Sequence, residues 1–176
     1  MKTKQILSLI AGCCLAANIA AAQTNPLIST QYSNEAIAEM IRKYKSLNAR
    51  DAVPSPELAA RFKADFPKAY DAEWESAGGI FEVEFDRRFR DFSAYYDDKG
   101  NLLMIVEEIY RSALPAVVKN AAEARYPKYS FEDINKIRRG TETFYEIEME
   151  RRDTDVRLVI NSDGTIYDEK NGAAAK

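Results

Sequence analysis

The chain has 176 residues, of which 46% are hydrophobic and 30% are charged. This composition is typical of a soluble globular protein and excludes a disordered or multi-span membrane chain. The formal charge is −3 and the sequence contains no histidine. The charge gives no basis for nucleic acid as a partner, and the missing histidine removes the commonest general base and metal ligand. We expect no nucleic-acid partner, no metal and no cofactor.

The first 22 residues are predicted to be a signal peptide. Two lysines precede a short apolar run over residues 6–17, and Ala20–Ala22 offer a small-residue cleavage site. The run is shorter than the roughly 20 residues needed to cross a bilayer, so no membrane span is predicted. A lipoprotein signal is the alternative, with Cys13 as the lipidated residue. We expect an exported, periplasmic protein whose mature form, cleaved after Ala22, has no cysteine.

Residues 23–55 are predicted to form an N-terminal helix and a linker. Apolar side chains recur at helical spacing from Asn34 to Leu47, at Ile37, Met40, Ile41, Tyr44 and Leu47. The residues after this stripe, up to Pro56, have the composition of a linker.

The rest of the chain contains an internal repeat. Residues 58–74 align with residues 118–134 at an offset of 60, and residues 80–103 align with residues 144–167 at an offset of 64. The second unit therefore has four additional residues in the segment equivalent to Trp74–Ile80. We divide the chain into a first unit over 56–113, a second unit over 114–170, and a small-residue tail over 171–176.

Each unit is predicted to begin with a helix and to continue as an antiparallel meander. In the first unit Ser55 and Pro56 have the residue types of a helix start, an apolar stripe follows, and Pro67 ends the helix. In the second unit Pro115 opens the helix and Pro127 closes it. The strands of the first unit are expected near 72–75, 81–85 and 92–96, continuing over 102–109 after a tight turn, and those of the second near 134–137, 145–149, 156–160 and 165–167. Of these, 134–137 alternates poorly.

These elements predict an α+β fold. Tandem α-β-β-β repeats form an antiparallel sheet with helices packed on one face, and an extra N-terminal helix precedes them. Within Phe81–Phe85 the apolar side chains alternate strictly with Glu82 and Glu84. Such alternation indicates that the two repeat helices cover one sheet face and that the other face is solvated.

Several motifs resemble one family. The run Phe66-Pro67-Lys68-Ala69-Tyr70-Asp71-Ala72-Glu73-Trp74 is similar to the opening of the PepSY-like domains, also called β-lactamase-inhibitor-like, which are common in exported proteins of Bacteroides-type bacteria. Four further matches cover most of the repeat region, at 81–85, 95–100, 114–119 and 144–148. The second unit departs from the pattern, since Ile134 is nearest to the position of Trp74. The resemblance implies a helix-and-sheet fold in an exported protein and suggests inhibition or protein binding, with no catalytic residues to carry over.

Arginine pairs and one tyrosine are the candidate partner contacts. Arg87 and Arg88 occupy the turn equivalent to that of Arg151 and Arg152, and guanidinium groups bind carboxylates well. Lys136, Arg138 and Arg139 add charge at what we expect to be a different turn. Tyr95 is expected on the solvated face beside Glu82 and Glu84, where a tyrosine suits an interface. Solubilising turn charge and an ordinary exposed tyrosine are the alternatives.

Other polar motifs favour structure over chemistry. Glu82/Glu84 and Glu146/Glu148 have the residue types of a glycosidase pair, but spacing of two on a strand is typical of a solvated strand face. The Asp97–Asn101 and Asn161–Gly164 segments lack the distal glutamate of a calcium loop and are expected to be hairpin turns. We expect a non-catalytic binding protein, with an exported protein or envelope component as partner. A module that binds a peptide, lipid or glycan is the alternative, and monomer versus dimer stays open.

Overall fold

A computed structural model describes residues 26–173 of the chain, so the predicted signal peptide and Cys13 lie outside the described part. Within that part there are three α-helices, one short 3-10 turn and nine strands. The helices are α1 (Asn34–Lys45), α2 (Pro56–Asp65) and α3 (Ala116–Arg125). The strands are β1 (Arg50–Asp51), β2 (Tyr70–Ala77), β3 (Ile80–Asp86), β4 (Asp91–Asp97), β5 (Leu102–Glu108), β6 (Ser130–Arg139), β7 (Glu142–Arg151), β8 (Thr154–Asn161) and β9 (Ile166–Ala173).

All nine strands form one antiparallel sheet in which their order follows the chain. Each repeat unit contributes one helix and four strands, α2 with β2–β5 and α3 with β6–β9. The fourth strand of each unit is the segment that the sequence predicts as a continuation after the tight turn. The last strand ends at Ala173, three residues beyond the predicted unit boundary at residue 170.

The helices begin where the sequence predicts. The Ser33 hydroxyl accepts a hydrogen bond from the backbone N–H of Ala36, and the Ser55 hydroxyl accepts one from the N–H of Leu58. These caps satisfy N–H groups that have no partner inside a helix. The second repeat helix begins after Pro115, which is its N-cap.

Two hydrophobic cores lie on one side of the sheet, which we call the two-helix face. Leu58, Phe62 and Phe66 of the α2 segment pack on side chains of β3–β5, including Val83 and Phe85. The second core has the same plan, with Val118 and Ala122 of α3 packed on Ile147, Met149, Val156, Leu158 and Ile160. The strand positions that alternate in the sequence therefore face the helices, as predicted.

The four additional residues of the second unit lengthen one hairpin. In the first unit the β2–β3 hairpin closes at the pair Ala77–Ile80, with Gly78 and Gly79 in the turn. In the second unit the β6–β7 hairpin continues past the equivalent pair by two further pairs, Arg138–Thr143 and Arg139–Glu142. Alternation then places Arg138 on the two-helix face and Arg139 on the opposite face.

The third helix, α1, lies on the side of the sheet opposite α2 and α3, which we call the α1 face. Its side chains Ile37, Ile41 and Tyr44 pack on Ile80, Tyr95, Leu103 and Met104. The expectation of an exposed Tyr95 is therefore wrong. Tyr95 does point to this face beside Glu82, but α1 covers it and leaves it 4% exposed.

Candidate binding surfaces

A groove lies on the α1 face of the sheet. It has a volume of about 620 Å³ and runs from α1 across β3–β9. Its floor consists of apolar side chains from five neighbouring strands, namely Val106, Ile137, Phe144, Val159 and Tyr167. The ring centroids of Phe144 and Tyr167 lie 5.5 Å apart, and Tyr167 remains 63% exposed. The groove thus presents apolar and aromatic surface to solvent.

The repeat explains why this surface is open. At the offset of 64 residues, Ile80, Tyr95 and Leu103 correspond to Phe144, Val159 and Tyr167. The first three are buried beneath α1. Of the last three, which line the groove, Phe144 is also buried, Val159 is half-buried and Tyr167 is exposed. No second helix of the described chain covers the second unit on this face. The groove therefore occupies the position in the second repeat that α1 fills in the first.

Both signs of charge surround the groove. Arg42 and Lys45 stand on the α1 side, and Arg139 stands on β6 with its guanidinium 4.7 Å from the Phe144 ring centroid. The carboxylates come from the strands and include Glu82, Glu84, Glu146 and Asp168. Arg139 is partly neutralised, since its Nη2 lies 3.0 Å from Glu142 Oε2. Such a rim suits a partner that carries charged side chains beside an apolar stripe.

The glutamates of the two units differ in their neighbours. In the first unit Glu84 lies directly across from Glu73, and burial followed by the charges of Glu82, Glu75, Glu73 and Asp91 raises its pKa. In the second unit Arg157 Nη2 lies 2.5 Å from Glu148 Oε1. Glu82 accepts a hydrogen bond from the Tyr95 hydroxyl. Both pairs lie on the sheet face, as the alternation predicts.

The two arginine pairs lie at the same end of the strands but do not form one cluster. The β3–β4 and β7–β8 hairpins that carry them turn at the same edge, separated by four strand spacings or about 19 Å. Arg151 and Arg152 are both exposed. Arg87 instead lines a small pocket on the two-helix face together with Lys136 and Arg138. The prediction that Lys136, Arg138 and Arg139 belong to a turn is wrong, because all three lie on β6.

The β3–β4 turn holds a backbone conformation that side chains disfavour. Its two central residues, Arg88 and Phe89, have φ angles of 56° and 61°. The β2–β3 turn has the same signs at Gly78 and Gly79, where the residue type carries no penalty. Phe89 is 92% exposed, so burial does not offset the strain.

The Asp97 turn is a structural feature. Its carboxylate accepts hydrogen bonds from the Lys99 and Asn101 backbone N–H groups at 3.0 and 2.8 Å, from the Asn101 amide and from the Tyr32 hydroxyl. Burial acts to raise its pKa, but these hydrogen bonds outweigh burial and lower the pKa. The hairpin turn therefore accounts for the hydrogen bonds that both carboxylate oxygens of Asp97 accept. Among residues 26–173, no group of three or more potential ligating side chains is arranged to hold a metal ion.

Comparisons with known proteins agree with this architecture. The family model described as "Putative beta-lactamase-inhibitor-like, PepSY-like" matches residues 25–104 and again residues 103–168. The chain matches no curated protein. No helix within residues 26–173 is long and apolar enough to cross a membrane.

Three solved structures share the fold at low sequence identity. A BLIP-like protein from Bacteroides fragilis has 22% identity and a TM-score of 0.61, with 71% of this chain and 91% of that chain covered. A DUF2874 family protein from Bacteroides ovatus has 17% identity and a TM-score of 0.62, covering 68% and 89%. A protein from Bacteroides eggerthii described as one of the "putative periplasmic proteins" has 13% identity and a TM-score of 0.65, covering 70% and 93%.

Proposed function

Because the chain belongs to the PepSY-like, β-lactamase-inhibitor-like family, we propose that it is an exported, non-catalytic binding protein of the periplasm whose groove takes a segment of another protein. The name of one solved relative, BLIP-like, and the description of another as periplasmic favour this class. The predicted signal peptide favours export.

The observation that carries the proposal is the uncovered position in the second repeat. In the first repeat an amphipathic helix fills this position with Ile37, Ile41 and Tyr44, spaced i, i+4 and i+7. In the second repeat the same strand positions leave Val159 half-buried and Tyr167 63% exposed along the groove. We infer that the occupant is an amphipathic helix of a partner protein with the same spacing of apolar residues, a recurrent mode of peptide recognition.

The candidate contact residues differ in where they lie relative to the groove. Tyr95 is covered by α1, whereas Tyr167, which sequence inspection does not single out, lines the groove and is exposed. Arg151 and Arg152 stand at the sheet edge beyond the groove and remain candidates for a peripheral contact with an acidic partner. Arg87 and Arg88 border a pocket on the other face.

Site-specific photo-cross-linking tests the proposal. A photoreactive phenylalanine analogue replaces Tyr167 in the chain over 23–176, and the same analogue replaces Tyr110 in a control. Tyr110 is 70% exposed and does not line the groove. In an envelope extract of the source cells we expect adducts at position 167 at least tenfold more often than at 110. The cross-linked partner peptide should carry apolar residues at i, i+4 and i+7.

Three outcomes contradict the proposed partner. Equal adduct yields at the two positions, or no adduct at 167, would show that the groove is not a contact surface. An adduct between two copies of this chain would assign the groove to self-association and reject a separate partner.

A small apolar ligand is the second candidate, favoured by one observation. The groove volume falls within the range of about 300–1,000 Å³ that ligand sites have, and two aromatic rings line it. Native mass spectrometry of the protein purified from its source distinguishes the two functions. A bound small molecule that is lost on Tyr167→Asp would favour this candidate over the protein partner.

A further inference from the structure

Positive charge is concentrated on the two-helix face, at the seam between the two repeat units. The strands that meet there are β5 and β6, which direct Glu107, Lys136 and Arg138 to this face between the two cores. The β3–β4 hairpin reaches the same place. Together they enclose a pocket of about 170 Å³, which we call the arginine pocket, whose cationic side chains are Arg87, Arg88, Arg90, Lys136 and Arg138.

The arginine pocket has five cationic side chains and one carboxylate. That carboxylate is Glu107, whose Oε1 lies 2.5 Å from Nη1 of Arg90. Within residues 26–173 no carboxylate lies within ion-pair distance of the other four cations. The pocket therefore holds an excess of positive charge that the described chain does not neutralise.

Two arginines show that the burial of this charge is unfavourable. Arg138 is half-buried on β6, and burial together with the charge of Arg87 lowers its pKa, although Glu107 acts in the opposite direction. The Nε of Arg87 is buried and has no hydrogen-bond partner among the described residues. Guanidinium N–H groups are donors only, so each of these groups needs an acceptor.

We propose that the arginine pocket binds a phosphate group, either as inorganic phosphate or as a phosphomonoester. Its volume equals that of about six water molecules, which admits one oxyanion with a few waters. A phosphate group carries about two negative charges at neutral pH and has oxygens for several guanidinium groups at once, whereas a carboxylate carries one charge. The floor of the pocket, Phe66, Phe92 and Ile105, excludes water from one side.

The arginine pocket has no equivalent in the second repeat unit. Arg138 lies on one of the two added pairs that lengthen the β6–β7 hairpin. The second unit repeats the arginine turn at Arg151 and Arg152, but among the described residues no strand beyond β9 pairs with it as β6 pairs with β5. Those two arginines are exposed and make a matched control for charge without a pocket.

Isothermal titration with sodium phosphate tests the inference, at constant ionic strength maintained with chloride. Wild-type chain over 23–176 is expected to saturate at one site. The double variant Arg87→Gln/Arg138→Gln should bind phosphate at least tenfold more weakly, and Lys136→Gln alone about threefold more weakly. The control Arg151→Gln/Arg152→Gln should stay within twofold of wild type, because neither of its arginines lines the pocket.

Thermal unfolding without phosphate separates binding from folding. Since Arg87 and Arg138 repel each other, the double variant is expected to melt at or above the wild-type temperature. A rise in the wild-type melting temperature with phosphate, absent in the double variant, supports the site. No saturable binding, or an equal loss in the control variant, would overturn it. Saturation by succinate at a lower concentration than phosphate would overturn the choice of phosphate.

Two further probes identify the source of the phosphate. Glycerol phosphate tests a soluble phosphomonoester, and phosphatidylcholine vesicles containing phosphatidic acid test a lipid head group. If the wild type binds one of these probes and the double variant does not, the result supports the arginine pocket and identifies the source of the phosphate. If the double variant binds both probes as the wild type does, the result contradicts the arginine pocket.

Discussion

One residue difference between the two repeats determines whether the glutamates of a unit have a cationic neighbour. Ser93 in the first unit stands where Arg157 stands in the second, directly across from the equivalent glutamates Glu84 and Glu148. Arg157 neutralises its neighbours, whereas in the first unit Glu84 faces a second glutamate on the adjoining strand. Like charges directly opposite each other destabilise a sheet, so the same residue type has opposite effects in the two units.

We therefore expect Glu84→Gln to stabilise the protein at neutral pH by about 0.5 kcal/mol, the size of one cross-strand charge pair. Burial and then the neighbouring carboxylates raise the pKa of Glu84, so the folded state binds its proton more tightly than the unfolded state. The contribution of Glu84 to stability is then present at low pH and falls as the pH rises through the interval above 4.5. Urea unfolding from pH 4 to 8 should show the stabilisation by Gln growing over that interval.

The matched control is Glu148→Gln, which removes a partner of Arg157. It should be neutral or destabilising by up to about 0.5 kcal/mol at pH 7, as for exposed ion pairs. A gain in stability from Glu148→Gln equal to that from Glu84→Gln would contradict the role given to Arg157.

At the scale of elements, the residues of the β3–β4 turn lower the stability of the protein but provide side chains to the arginine pocket. Replacing Arg88-Phe89 by Asn-Gly supplies residue types that tolerate positive φ at both positions. We expect a gain of about 1–2 kcal/mol in the free energy of unfolding, measured in urea, because two strained residues are relieved. Phosphate binding should weaken at the same time, since Arg88 lines the arginine pocket. Asn-Gly less stable than wild type would show that the turn holds no strain.

Elements with strong local signals could be predicted from the sequence, and those fixed by distant contacts could not. The serine caps and apolar stripes of α1 and α2 are local, and so is the strict alternation of β3. The alternation of β6 is weak because it lies at the seam, where Lys136 and Arg138 replace apolar residues on the two-helix face. Its pairing with β5 and β7 forms it regardless, over Ser130–Arg139.

At the scale of the whole molecule, the sequence does not predict on which side of the sheet α1 packs. The stripe of Ile37, Ile41 and Tyr44 shows that the helix has an apolar face, but periodicity does not say which sheet face receives it. The expected exposure of Tyr95 failed for that reason, and the groove with Tyr167 was missed. Comparing the buried residues of one repeat with their equivalents in the other would have indicated an uncovered surface.

The two cores are expected to unfold together. Five residue pairs join β5 to β6, and α1 contacts both β3 and β6, so each unit supports the other. Trp74 is the single tryptophan and packs on the first core, which makes its fluorescence a reporter of that unit alone. Its urea midpoint should coincide with the midpoint of far-UV circular dichroism, which reports both units. Separate midpoints would show two independent domains.

The central claim is that the groove of the second repeat binds a helix of a partner protein. The most direct measurement is the affinity of the cross-linked partner, once identified, for wild type, Tyr167→Asp and Tyr110→Asp. Both substitutions replace an exposed tyrosine, and only Tyr167 lines the groove. We predict a loss of at least tenfold, about 1.4 kcal/mol, for Tyr167→Asp and less than twofold for Tyr110→Asp. Equal affinities of the three proteins would contradict the claim.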